Sequence, residues 1–230
     1  MSEAVRNFGR KIRAPFNKRS AFKALDKFHA GNPGLEQIVD TAIKFPSHGL
    51  FRVDSIQQRS EILSLAKAVA ELKPKNILEI GTARGGTLLI WSQLASQKVV
   101  SCDLLDPGVR RPLYEAFPPP ESQCQVTHLS GDSHERPFRE TVEAQFAGEQ
   151  VDFLFIDGDH TEKGVEADYN DYHHLVRPGG LIAFHDIVEK QALPTNQVYY
   201  FWERLKPGVN YEEFVDSPDQ TGFGIGIVRV

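Results

Sequence analysis

Ile77-Leu-Glu-Ile-Gly-Thr-Ala-Arg-Gly-Gly-Thr-Leu-Leu-Ile90 decides the fold class of this 230-residue chain. An apolar run closes on Glu79-Ile80-Gly81, and glycines return at Gly85 and Gly86 before a second apolar run. That pattern is a buried strand, a tight turn and a helix start, with glycine where a bound molecule must approach the backbone. The spacing is not the dinucleotide-binding Gly-x-Gly-x-x-Gly, because Thr82 and Ala83 follow Gly81. A phosphate loop would want a lysine and an anion-seeking nest, whereas Glu79 sits at the base of this turn and only Arg84 is near.

Outward from this turn, strands and helices alternate. Strands are predicted at Asn76–Ile80, Lys98–Cys102, Gln125–Ser130, Val151–Asp157 and Gly180–His185, with helical spacing near 85–96, 109–117, 134–147 and 162–176. Five strands alternating with helices imply a parallel sheet with right-handed crossovers. Upstream, Ile56, Ile62, Leu63, Leu65, Ala66, Val69, Ala70 and Leu72 recur at helical spacing until Pro74. Downstream, a helix near Gln197–Leu205 precedes strands near Tyr211–Val215 and Phe223–Val230, read as a hairpin closed by a short turn. The expected fold is α/β: a Rossmann-like, seven-stranded, mostly parallel sheet with an antiparallel C-terminal hairpin and helices on both faces. Residues 1–54, punctuated by Gly31-Asn-Pro-Gly34 and Phe45-Pro-Ser-His-Gly49, read as a basic arm and a cap of short helices; residues 55–230 form the main domain.

Composition narrows the function. A net charge of −5 argues against a general nucleic-acid binder, and no apolar stretch approaches a membrane span or a signal-peptide core. Cys102 and Cys124 are the only cysteines, without metal-type spacing, so a reduced, cytoplasmic setting is expected. The first thirty residues carry Arg6, Arg10, Lys11, Arg13, Lys18, Arg19, Lys23 and Lys27 against Glu3 and Asp26. Two readings stand for this arm: a helix packing on its own domain or on a sister subunit, or a surface for an anionic partner.

Ligands of open α/β sheets gather at the carboxyl ends of the strands. Here those ends are Glu79/Gly81, Asp103, Asp132/Ser133, Asp157 and His185/Asp186, nearly all acidic or polar after an apolar run. A carboxylate at Asp103 can accept both hydroxyls of a ribose. Asp132 and Ser133 suit either an adenine edge or the cap of the following helix.

The second strong signal is Val151-Asp-Phe-Leu-Phe-Ile-Asp-Gly-Asp-His160, followed by Arg177-Pro-Gly-Gly180 and Phe184-His-Asp186. Asp157, His185 and Asp186 from adjacent strand ends form a candidate divalent-metal set, and His160 a candidate proton acceptor. With Glu-x-Gly-x-x-x-Gly-Gly at residues 79–86, these motifs resemble class I S-adenosylmethionine (SAM)-dependent methyltransferases. Across roughly residues 55–190 they are similar to the cephalosporin-hydroxylase-like and macrolide-sugar O-methyltransferase family, with catechol O-methyltransferases more distant.

The resemblance implies that Glu79, Gly81, Thr82, Gly85, Asp103, Asp132 and Ser133 bind SAM. It puts Asp157, His185 and Asp186 at metal-ligand positions, and His160 where catechol-type enzymes carry a catalytic lysine. Asp157 and His160 are then the catalytic pair. Mg²⁺ is the cation first expected, and the imidazole of His185 also admits Mn²⁺, Fe²⁺ or Zn²⁺. The expected activity is metal-assisted O-methylation of a hydroxylated small molecule, a sugar or other natural product, with self-association through the arm or the aromatic C-terminal helix. The rivals are another natural-product enzyme of this fold, a non-catalytic SAM-binding subunit, and an RNA methyltransferase that uses the arm.

Overall fold

Strand β1 (Asn76–Ile80) is buried at every position and lies in the interior of a seven-stranded sheet. It pairs in parallel with β2 (Lys98–Asp103) on one side and β4 (Val151–Ile156) on the other. Beyond β2 lies β3 (Gln125–Ser130), and beyond β4 lies β5 (Val176–His185). The antiparallel pair of β6 (Asn210–Phe214) and β7 (Ile225–Arg229) completes the order β3-β2-β1-β4-β5-β7-β6. The seven-stranded, mostly parallel expectation therefore holds. The computed structural model describes residues 3–230, with side chains from Ala14 onward. Arg6, Phe8, Arg10, Lys11, Ile12 and Arg13 of the basic arm have side chains outside that description.

Period-two alternation divides the core between the two sheet faces. Ile77, Val99, Phe153 and Ala183 face one cluster, and Leu78, Val100, Leu154 and Ile182 face the other. The first is covered by α1 (Glu3–Ala30), α2 (Leu35–Ile43), α3 (Arg59–Leu72), α4 (Gly86–Leu94) and α5 (Arg111–Glu115), which contribute Leu25, Val39, Leu65, Leu89 and Leu113. The second takes Val142 from α6 (Arg136–Ala144), Val165 from α7 (Glu162–Tyr172) and Trp202 from α8 (Val198–Leu205). Each such side chain contributes roughly 1.5–3 kcal/mol by leaving water. Among the described residues no helix is long and apolar enough to cross a membrane.

Three local expectations need correction. The N-terminal region is not a set of short helices: α1 runs 28 residues through Pro15. Its Ala21 and Leu25, with Ile38 and Ala42 of α2, join the same apolar cluster as the sheet. Ile56 lies outside the helix it was assigned to, because α3 starts at Arg59 after an extended approach. Nor does a short turn join β6 to β7. Residues 215–224 form a long loop whose Gly222 N donates to Glu189 O at 3.0 Å, while Val188 N donates to Phe223 O at 2.9 Å. Buried Glu61 of α3 holds the same loop by accepting from Gly224 N at 2.9 Å and Gln220 Nε2 at 2.6 Å.

Candidate active site

Chain order along the sheet reverses between β1 and β4, and a crevice opens beyond the carboxyl ends of strands at such a point. Here the crevice is a cleft of about 1160 Å³, lined by Gly81, Thr82, Asp103, Asp132, Ser133, Asp157, His160, His185 and Asp186 among others. The tips of four neighbouring parallel strands, and of β5 beyond them, therefore converge as expected.

Two glycines of the turn are required by the chain's own packing. Gly81 has φ +100°, and a Cβ there would overlap the carbonyl oxygen of Asp157. Gly85, at φ +78°, would put a Cβ 2.6 Å from the Tyr114 ring, and it does not line the cleft. Close packing of the chain's own β1 and β4 tips demands glycine at 81, and an aromatic neighbour demands it at 85.

Glu79 also stands apart from its expected partners. It is fully buried and absent from the cleft wall; its carboxylate accepts from Trp91 Nε1 at 2.9 Å and from Ser101 Oγ at 2.5 Å. Thr82, whose Oγ1 bonds Ser101 Oγ and Cys102 O, carries this network to the cleft. Burial raises Glu79 to about 7, against the hydrogen bonds from Ser101, Thr87 and Trp91. The folded protein then holds more protons than the unfolded chain between about pH 4.5 and pH 7, so stability falls as pH rises through that window. Glu79→Gln is expected to remove this slope, gaining roughly 3 kcal/mol on the parent between about pH 5 and about pH 8. Urea midpoints at the two pH values check it, and parallel profiles for parent and variant would refute it.

Asp103 does reach the cleft, with its oxygens accepting from Ala83 N at 2.7 Å and Leu105 N at 2.9 Å. These bonds orient the carboxylate and leave each oxygen a further lone pair. Asp132 Oδ1 accepts from His134 N at 2.9 Å, an Asx turn ahead of α6, and Ser133 lies beside it on the wall.

On the floor of the cleft, β4 and β5 bring three groups together. Ligand atoms of Asp157, His160 and Asp186 lie within 4.8 Å of one another. His160 Nε2 is 3.2 Å from Asp157 Oδ1, and its Nδ1 is 3.5 Å from Asp186 Oδ2. Asp186 reaches this position through a left-handed backbone, φ +65°. His185, expected as the third metal ligand, lies underneath: its side chain is 5% exposed against 39% for His160. Its Nδ1 faces Asp157 Oδ1 at 3.1 Å and Asp186 Oδ1 at 3.2 Å, so it braces the carboxylates from below, and His160 takes its place in the compact group.

Burial alone would raise Asp157. The charge on His185 and hydrogen bonds from His160 and His185 outweigh that and hold its carboxyl well below the usual carboxylate range. Burial pulls the other way on His185, which Asp157 and Asp186 nevertheless raise to about 10. The hydrogen bond to Asp157 likewise raises the proton affinity of His160.

Sequence reasoning missed residues supplied from elsewhere in the chain. Gln57, in the extended segment before α3, donates from Nε2 to Asp157 Oδ2 at 3.0 Å. Asn196, in the loop after β5, donates from Nδ2 to Asp186 Oδ2 at 2.5 Å and lies 3.2 Å from His160 Nδ1. His134, next after Ser133, lines the cleft with its Nδ1 3.6 Å from buried Asp168 and its Nε2 3.9 Å from Asp159. Ser55 Oγ, Gln57 Oε1 and Asn196 Oδ1 are buried in this cleft without a protein partner among the described residues. Buried polar atoms of that kind fit a polar ligand. No periodicity marks these residues, since they sit in irregular segments.

Residues 78–187 match the family model described as a methyltransferase domain. Over that stretch the chain is similar to a methyltransferase domain. Solved structures share the fold. The O-methyltransferase from Bacillus cereus, in complex with SAH (S-adenosylhomocysteine), is 21% identical over 85% of this chain and 90% of its own, with a TM-score of 0.56. TomG, an O-methyltransferase from Streptomyces achromogenes involved in tomaymycin synthesis and solved with SAM, is 17% identical over 84% and 90%, TM-score 0.58. MycE of the mycinamycin biosynthetic pathway, solved with Mg, SAH and mycinamycin VI, is 16% identical with a TM-score of 0.59. That match covers 86% of this chain and 54% of MycE. No curated protein matches it in sequence.

Proposed function

We propose that this methyltransferase transfers the methyl group of SAM to a hydroxyl oxygen of a small molecule, with a divalent cation at Asp157 and Asp186 and with His160 as the base. The observation that carries this reading is the convergence of Asp157, His160 and Asp186 within 4.8 Å on the floor of a methyltransferase cleft. Asp103, Asp132, Ser133 and Thr82 are the wall residues assigned to SAM. Glu79 and Gly85 support that wall from behind.

The donor set of two carboxylates and an imidazole-bearing neighbour fits a hard or borderline divalent ion. When bound, SAM supplies the methyl group on a sulfonium leaving group, and the cation supplies Lewis acidity toward the acceptor oxygen. What the chain itself contributes is alignment and proton removal. Asp157 beside Nε2 raises the proton affinity of His160, the change that suits a proton acceptor. Asn196 fixes the ring and Asp186 together. The buried free thiols of Cys102 and Cys124 support the cytoplasm as its setting.

A second reading, favoured by the same grouping, makes His160 the third metal ligand. His160→Gln separates the two. Loss of a base lowers kcat by about 10²–10⁴-fold with Mn²⁺ affinity unchanged. Loss of a ligand weakens Mn²⁺ binding in calorimetry as well. Wild-type kcat in the variant would end both.

A further inference from the structure

The five most exposed large hydrophobic side chains among the described residues are Phe16, Ile56, Leu104, Leu105 and Leu193, and all but Phe16 line this one cleft. Their exposures are 74% for Ile56, 72% for Leu104, 75% for Leu105 and 66% for Leu193. Isolated exposed leucines need no explanation, but a set gathered from three separate loops around one opening does.

The four divide by position. Leu104 and Leu105 directly follow Asp103, on the side assigned to SAM. Ile56 and Leu193 stand on the side of the reactive cluster. Ile56 is chain neighbour to Gln57, which donates to Asp157; Leu193 O accepts from Asn196 N at 2.9 Å, and Asn196 donates to Asp186. Both side chains are thus tied within a few residues to the groups that face the acceptor hydroxyl. The cleft volume of about 1160 Å³ also exceeds the roughly 300–1,000 Å³ of single-ligand pockets, leaving room for a second molecule beside the nucleoside.

We infer that the acceptor is amphipathic: a hydroxyl group carried on an extended apolar body, which Ile56 and Leu193 grip at the cleft mouth while the hydroxyl reaches Asp157, His160 and Asp186. This rests on the methyltransferase reading and narrows its substrate class. A compact, fully polar sugar would leave both lips in water. A second copy of the chain would need a broad apolar face, whereas these side chains ring a concave opening.

A homologous series of n-alkyl gallates, from methyl to octyl and used below their aggregation limits, supplies the test. Binding to the protein saturated with SAH is measured by calorimetry. Each methylene that leaves water is worth about fourfold in affinity, so octyl gallate is expected to bind at least about tenfold tighter than methyl gallate. Ile56→Ser and Leu193→Ser are each expected to cut that chain-length gain while binding SAH like the parent.

Equal affinity across the series would overturn the inference, as would a gain that survives in the double variant. A change of mass in light scattering on Ile56→Ser or Leu193→Ser, with the gain intact, would overturn it in favour of self-association. SAH binding with no chain-length gain sinks only this inference. Failure of the parent to bind SAH removes the methyltransferase reading beneath it.

Discussion

Asp157→Asn is expected to lower methyl transfer by about 10³-fold and to destabilise the fold at the same time. One carboxylate answers three side chains: Oδ2 accepts from Gln57, and Oδ1 faces both His160 and His185. An amide keeps the shape but loses the charge that raises the proton affinity of His160, and it weakens any cation site shared with Asp186. Beneath it, the nearly buried imidazole of His185 loses the stronger of its two charge partners. Removing one member of a buried ion pair costs about 3–5 kcal/mol, because the remaining charge stays out of water. Single-turnover kinetics with SAM and an acceptor read the first effect, and urea denaturation the second. Parental kcat in a variant that still binds SAH would remove Asp157 from the reactive machinery.

Gly81→Ala is expected to damage the fold more than any other single-methyl addition at the cleft. The residue needs φ +100°, which costs a residue with a side chain about 1–3 kcal/mol. The new methyl would also overlap the carbonyl of Asp157 on the neighbouring strand, where backbone rather than a pliant side chain must move. Together these place the loss near 4–5 kcal/mol, or roughly a 10 °C drop in Tm for a domain of this size. Gly108→Ala is the control: it also has positive φ, +56°, but nothing lies within 4 Å of an added Cβ, so only the smaller backbone cost is expected. Equal melting temperatures for the two variants would show that the contact between the β1 and β4 tips is not what requires glycine.

These two residues also show how far sequence reading reached. Both were picked out from local signals, an apolar run ending in Gly81 and an apolar run ending in Asp157. Gly81 was read as an opening for a ligand, yet the chain's own β4 occupies the space where a side chain would go. Glu79, one pleat earlier on the same strand as Ile80, points into the core instead of the cleft and binds Trp91. His160 and His185 were equally visible as strand-end imidazoles, and only burial separates the one that faces the cleft from the one beneath it.

From its residues alone the chain determined the α/β class, the central parallel strands and the acidic tips that line the cleft. Apolar periodicity and glycine breaks act within a few residues and need no distant partner. Tertiary structure decided which polar groups meet there. Gln57 finds Asp157 a hundred positions away, Asn196 joins His160 to Asp186, and the loop between β6 and β7 folds back onto Glu61. Those meetings depend on how far-separated segments pack against one sheet edge, a property that no local spacing encodes.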